Sequence, residues 1–233
     1  MKAAVYTGTR NLYKDMIPAI KSLLVHSDVE KIYVVIEDPG FPEWLPDICE
    51  VLDLSGQTFF PPDGPNMKSR YTYMAMMRTA LCRILPEDLD RVLSLDVDTI
   101  VDRDISDLWD LPIDDCYFAA SHEFHETTNK FLYCNVGVCL FNLRKMRDGK
   151  ADEIIRMLNR KQFGWVEQDV LNLLCQGYIY DMPPEYNAHY YTGNPKDPKI
   201  IHHIGDNAKL PRYADVIKYA RMSWDEVLKR RKK

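Results

Sequence analysis

Short apolar runs rich in β-branched and aromatic residues recur along this chain, and helical patterns fill the gaps between them. The runs are Ala3 to Tyr6, Lys31 to Ile36, Cys49 to Leu54, Arg91 to Leu95, Tyr117 to Ala120 and Val136 to Phe141. Helical spacing covers Asp15 to Val25, with Pro18 in its first turns, and Tyr71 to Leu85, stopped by Pro86. It returns over Ala151 to Asn159, Glu167 to Gln176 and from Trp224 to the C-terminus. Buried strands fed by helices predict an α/β fold. The Pro-rich stretches Phe59 to Pro65 and Pro183 to Pro198 read as surface loops long enough to border a site.

A chain of 233 residues can bury a sizeable core as one domain, spanning 1–233, with 212–233 forming a helical, basic tail. A hydrophobic content of 46% against 28% charged is that of a globular chain and argues against disorder. A formal charge of −5 argues against nucleic acid as partner, since such proteins need a basic face to displace counterions. Cysteines 49, 82, 116, 134, 139 and 175 are scattered through apolar runs without a CxxC, so they read as buried free thiols in a reducing compartment. The N-terminus runs directly into a strand pattern, and no stretch approaches the ~20 apolar residues of a membrane span, so a cytoplasmic protein is expected. The terminal Lys229-Arg-Arg-Lys-Lys reads as a solvated end or as a weak contact for anionic lipid.

Two carboxylates, Asp96 and Asp98, close the strand that begins at Arg91. Side chains at i and i+2 of an extended segment share a side, so the pair can converge on one hard cation. Carboxylates are also common wherever strands turn into loops. A calcium loop continuing through Asp102, Asp104 and Asp107 is a rival, although the sixth position from Asp96 is not Gly and the twelfth is Asp107 rather than Glu. Far along the chain, Ile200-Ile-His-His-Ile-Gly-Asp-Asn-Ala-Lys209 offers an imidazole as a third ligand suited to Mn²⁺, although a lone His-x-x-Gly reads equally as a buried histidine with a satisfied hydrogen bond. There, Gly205 permits close backbone approach to a phosphate, and Lys209 supplies a point charge.

Several motifs occur together in order: "VYTGTRNLY" at the first strand, Arg78 in "MAMMRTALCRIL", "LSLDVDTIV", "YCNVGVCLFNL", "EQDVLN", "MPPEYN" and "HHIGDNAK". Through them the chain, over roughly Lys2 to Pro211, resembles the retaining glycosyltransferases of family 8, whose relatives include glycogenin and bacterial lipopolysaccharide galactosyltransferases. The resemblance implies a GT-A fold, a Rossmann-like mixed but mostly parallel sheet flanked by helices. It implies Mn²⁺, with Mg²⁺ as an alternative, and a UDP-hexose donor, and it aligns Asp96, Asp98 and His202 with the metal ligands.

For the donor it implies Thr7, Thr9, Tyr13, Arg78, Asp96, Val97, Asn135, Gly137, Gly205 and Lys209. The Thr7 and Thr9 hydroxyls and the Tyr13 ring suit a uracil and ribose, although turn and core packing explain them equally well. Arg78, a charge among apolar helical residues, must reach solvent or pair, either with the donor or with a carboxylate. Asn135 and Gly137 suit sugar hydroxyls at close range, with Val136 where the family carries a small residue. Glu167 and Gln168 match the family's catalytic Asp-Gln-Asp, although acids at a helix N-terminus also serve its dipole. Lys209 stands one residue later than in the family pattern. Tyr186 to Tyr191, "YNAHYY", offers aromatic faces to an acceptor, whether glycan, lipid-linked, protein or small molecule. The competing readings are a sugar nucleotidylyltransferase, on Gly8-Thr9-Arg10, and a non-catalytic nucleotide or divalent-ion module.

Overall fold

A computed structural model describes residues 1–124, 132–205 and 207–231. Among them the apolar runs become β1 (Ala3–Gly8), β2 (Lys31–Ile36), β3 (Cys49–Asp53), β4 (Arg91–Leu95), β6 (Phe118–His122) and β7 (Cys134–Asn142). Short strands β5 (Thr99–Val101), β8 (Ile179–Asp181) and β9 (Ile200–His202) complete the set. Seven strands form one sheet in the order β3-β2-β1-β4-β7-β6-β8, in which β7 alone runs against its neighbours. Mixed and mostly parallel, this is the expected GT-A sheet. The helices are α1 (Tyr13–His26), α2 (Leu81–Ile84), α3 (Leu143–Met146), α4 (Lys150–Leu158), α5 (Val166–Leu174), α6 (Ala214–Arg221) and α7 (Trp224–Arg230).

Alternation along β1 feeds two cores, one on each face of the sheet. Ala4 and Tyr6 meet Met16, Ile20 and Leu23 of α1, whereas Ala3 and Val5 meet Met74, Met77 and Leu81. The chain lays β2 and β3 on one side of β1 and then returns to place β4 on the other. Ligands of open α/β sheets gather at such a reversal, beyond the carboxyl ends of the strands. Tyr6 pairs with Leu95 there, so the segments after β1 and β4 emerge side by side.

The segment from Tyr71 to Leu85 departs from the expected α-helix. It is a 3₁₀ helix over Tyr73–Ala80 that widens into only one α turn, α2. Arg78 Nε donates to the carbonyl of Ala75 at 3.2 Å and Thr79 Oγ1 to that of Met76 at 2.8 Å. Side chains thus compete for main-chain acceptors inside the helix.

The basic tail is docked. Lys21 Nζ donates to the Met222 carbonyl at 2.7 Å and lies 5.0 Å above the Trp224 ring, which meets Trp44 edge-on. Ser223 and Glu226 form a capping box at the start of α7, and Arg231 donates to the Val29 carbonyl at 2.9 Å. Lys232 and Lys233 lie outside the described residues. All six cysteines are free, four of them buried, and among the described residues no helix is long and apolar enough to cross a membrane.

Candidate active site

The reversal point carries the two carboxylates on a tight turn between β4 and β5. The Asp96 N–H donates to the Gly137 carbonyl on β7 at 2.7 Å, and the Asp96 carbonyl takes the Thr99 hydroxyl at 2.7 Å. Pairing of β5 with β9 sets Thr99 opposite His202, and the His203 N–H donates to the Asp98 carbonyl at 2.9 Å. Two neighbouring carboxylates and a histidine far along the chain therefore converge. One ligand atom from each of Asp96, Asp98 and His202 lies within 4.8 Å of the other two. His202 Nε2 stands 3.2 Å from Asp98 Oδ1 and 3.6 Å from Asp96 Oδ2.

Two carboxylates and an imidazole suit a divalent ion such as Mn²⁺. The space is kept open by Gly137, where a Cβ would stand 2.2 Å from His202 Cε1 and 2.7 Å from Asp96 Oδ2. The residues present therefore fit the cation. His203 is committed elsewhere, since its Nε2 meets Asp215 Oδ2 at 3.0 Å and its ring stacks on Tyr213. The calcium-loop reading fails, because Asp107 accepts from Tyr186 and Lys199 and Asp104 from Ser106. Among the described residues the triad is the one group of three such side chains close enough together to hold a metal.

Electrostatics bind the triad to the acids of α5. Arg78, 3% exposed, pairs with Asp96 and donates to the Val136 carbonyl, while its Nε lies 3.5 Å from Glu167 Oε1. The carboxylate partner left open by the sequence is thus present, and Arg78 holds Asp96 and Glu167 in one frame. Burial pushes the Asp96 carboxyl up, but Arg78 and His202 outweigh it and hold the group below the ordinary carboxylate range. Burial opposes the His202 charge, yet Asp98 and Asp96 raise its pKa overall. Glu167 behaves differently: burial pushes it up to about 7 although Arg78 pulls the other way.

Gln168 sits beside Glu167 at the start of α5. Its Oε1 accepts from the Val136 N–H at 3.2 Å, and its Nε2 donates to Glu123 Oε2 at 3.2 Å. Val166, the first residue of α5, has φ 43°, a left-handed conformation rarely taken by a β-branched residue. Such strain of about 1–3 kcal/mol gathers at functional sites. Asp169 accepts from the Trp165 N–H and the Tyr133 hydroxyl, fixing the turn.

The remaining sequence-derived residues fall as follows. Asn135 and Gly137 lie against the metal triad on β7. Thr7 ends β1 one residue before Gly8, and Thr9 donates to Asn11 Oδ1 at 2.6 Å. Tyr13 is 2% exposed, its ring lies 5.2 Å from Phe41 and its hydroxyl accepts from the Glu37 N–H. Val97, between the two carboxylates, is buried in the α1-side core. The Arg10 N–H is taken by Glu37, and its guanidinium by Asp38, so the Gly8-Thr9-Arg10 turn does not build a phosphate cradle. Gly205 has φ 70°, which favours glycine, and exposed Lys209 follows on the 3₁₀ turn Asn207–Arg212. Asp206 of the same motif is outside the described residues.

Two residues went unassigned in the sequence. Glu123, 4% exposed, is a carboxylate just past β6, and Asn187, fully buried, ends "MPPEYN". A charged residue at the carboxyl end of a strand was the available signal for Glu123. Asn187 Oδ1 lies 2.8 Å from His202 Nδ1, its Nδ2 donates to Asn135 Oδ1 at 2.9 Å, and Asn135 Nδ2 donates to Glu123 Oε1 at 2.8 Å.

A mostly parallel α/β sheet with an Asp-x-Asp turn and a distant histidine at its reversal point defines a GT-A glycosyltransferase. The family model "Glycosyl transferase family 8" matches residues 6–218, and the chain belongs to that family. Among curated proteins none matches. Solved structures share the fold. Galactosyltransferase LgtC, in complex with donor and acceptor sugar analogues, is 20% identical with a TM-score of 0.70, covering 98% of this chain and 99% of that one. GlyE of Streptococcus pneumoniae TIGR4 is 21% identical with a TM-score of 0.72, over 98% of this chain. Mouse xyloside xylosyltransferase 1 is 16% identical with a TM-score of 0.64, over 88% of this chain and 98% of that one. The chain spans 62% of GlyE and about half, 51%, of the bifunctional glycosyltransferase WbbM.

Proposed function

We propose that this glycosyltransferase depends on Mn²⁺, with Mg²⁺ as a weaker substitute, and moves glucose or galactose from a UDP-sugar to an acceptor with retention of anomeric configuration. The observation that carries the reading is the convergence of Asp96, Asp98 and His202 on one point, with Arg78 linking them to Glu167 beside Gln168. Bound there, the cation supplies Lewis-acid charge to the diphosphate as it leaves. Asp96, Asp98 and His202 hold it, and Lys209, exposed beyond Gly205, adds a positive charge on the leaving-group side. Thr7, Thr9 and the backbone at Val97 line the nucleotide end.

Glu167 and Gln168 face the sugar. Gln168, its amide fixed by Val136 and Glu123, stabilises positive charge at the anomeric carbon during a front-face displacement, and Glu167 holds sugar hydroxyls. A cleft of about 520 Å³ opens beside His202, lined by His189, Tyr190, Tyr191 and His203, within the size range of small-molecule sites. Tyr190, 78% exposed, offers its ring to an acceptor sugar there. Six free thiols support a cytoplasmic location, and the docked basic end of α7 is the surface for any weak contact with anionic lipid. The test is release of UDP from a panel of nucleotide-sugars with Mn²⁺, comparing wild type with Asp98→Ala and His202→Ala. Turnover of a UDP-hexose by wild type alone is expected; turnover that ignores metal and both substitutions overturns the reading.

A further inference from the structure

We infer that Glu123 is a positioning residue: through the buried amides of Asn135 and Asn187 it fixes His202 with Nδ1 protonated and Nε2 turned to Asp96 and Asp98, and it fixes Gln168 at the same time. The inference rests on the metal site proposed above. Its starting point is a register shift between β6 and β7. Ala120 pairs with Cys139 but the next residue, Ser121, pairs with Asn135, so Val136, Gly137 and Val138 lie opposite no β6 residue. Irregularities of this kind recur beside active sites, where they free main-chain groups for other partners.

The N–H groups of Val136 and Gly137 can only donate. That of Val136 goes to Gln168 at 3.2 Å and that of Gly137 to Asn135 at 2.9 Å. Each thereby decides which end of its partner amide is oxygen, an assignment that otherwise rests on the network alone. Both amide nitrogens are then committed to donating, and both meet the same carboxylate: Asn135 Nδ2 at Glu123 Oε1, 2.8 Å, and Gln168 Nε2 at Glu123 Oε2, 3.2 Å. A carboxylate accepts on both oxygens, whereas an amide in its place would turn an NH₂ group against one donor.

The same logic runs outward to the metal site. Asn135 Oδ1 also accepts from Asn187 Nδ2, so the other end of Asn187, its oxygen, is the end facing His202 Nδ1 at 2.8 Å. That ring nitrogen must carry a proton, which leaves Nε2, 3.2 Å from Asp98 Oδ1, as the nitrogen that can give up its proton to ligate a cation. Glu123, Asn135, Gln168, Asn187 and His202 are each at least 90% buried, so water cannot easily replace a broken link. One carboxylate thus completes the network that holds the metal-facing nitrogen and the sugar-facing amide together.

The test is Glu123→Gln, with Asn187→Leu as a second variant. Mn²⁺ affinity, read by electron paramagnetic resonance, is expected to fall about 10–100-fold in each, as for other groups that orient a metal-binding imidazole. If Glu123 acts on the site through Asn187, adding Glu123→Gln to Asn187→Leu costs little further affinity. The proton on His202 Nδ1 is read independently by ¹⁵N–¹H correlation on metal-free protein, where wild type is expected to hold it fully and Glu123→Gln only in part. A merely structural glutamate would lower the melting temperature without moving that proton. Wild type found without a proton on Nδ1, or Glu123→Gln with unchanged Nδ1 protonation and Mn²⁺ affinity, overturns the inference. Wild type that binds no Mn²⁺ overturns the metal reading instead, and the Nδ1 measurement still decides the relay.

Discussion

Gly137→Ala adds one methyl group at the centre of the site. Its Cβ would stand 2.2 Å from His202 Cε1, 2.7 Å from Asp96 Oδ2 and 3.0 Å from Asn135 Oδ1. Carbon atoms rest about 3.5–4.0 Å apart, so the imidazole has to retreat by more than about 1 Å. It has no room to do so, because Nδ1 is held by Asn187 and the His202 N–H by the Ala188 carbonyl. Forcing a methyl into a packed site costs about 1–3 kcal/mol, a fall of roughly 2–12 °C in melting temperature for a chain of this size. Metal sites tolerate ligand displacements of only about 0.2 Å, so Mn²⁺ affinity should fall by at least about 100-fold. Differential scanning fluorimetry without metal reads the first effect, and paramagnetic titration reads the second. A variant that melts within about a degree of wild type and keeps its Mn²⁺ affinity refutes the close approach of β7 to the triad.

Three further outcomes follow from the same frame. Replacing Arg78 with Met strands two carboxylates beside a buried site and should cost about 3–5 kcal/mol in guanidinium unfolding; a loss below about 1 kcal/mol removes the central place given to that pair. Glu167, raised from 4.5 to about 7, keeps its proton in the folded state across a window where the unfolded chain has lost it, so its contribution to stability declines as pH rises through that window. Relative to Glu167→Gln, wild type should therefore lose up to roughly 3 kcal/mol between the two values, and a stability difference that stays flat with pH counts against the buried Glu167. Val166→Gly relieves the left-handed strain at φ 43° but removes a buried side chain, so stability should change little while donor turnover falls as Gln168 loses its fixed approach; unchanged turnover separates the strain from the chemistry.

Much of the fold was legible because its long strands are apolar throughout. Lys31–Ile36 and Arg91–Leu95 end where the sequence pattern ends. The three-residue strands β5 and β8, and helix α6, carried too few apolar positions to register a period. The pairing of β5 with β9 was equally hidden, yet it is what brings His202 to Asp98. Family motifs marked His202 as a ligand, whereas the pairing explains why His203, its neighbour, faces Asp215 instead. Arg78 illustrates a different limit. Its burial was readable from the apolar residues around it, but its choice of Asp96 and Glu167 depends on contacts between elements distant in sequence. Glu123 and Asn187 were missed for the same reason, since single polar residues in short turns have no pattern and acquire a role only through the amides they meet.

The most direct measurement is calorimetric titration of Mn²⁺ into wild type and His202→Ala in the presence of UDP. Wild type should bind one ion at a site that requires the nucleotide for full affinity, and His202→Ala should bind at least about 100-fold more weakly, beyond the loss seen when only an orienting group is removed. Equal binding by both proteins, or none by wild type, contradicts a catalytic metal held by Asp96, Asp98 and His202.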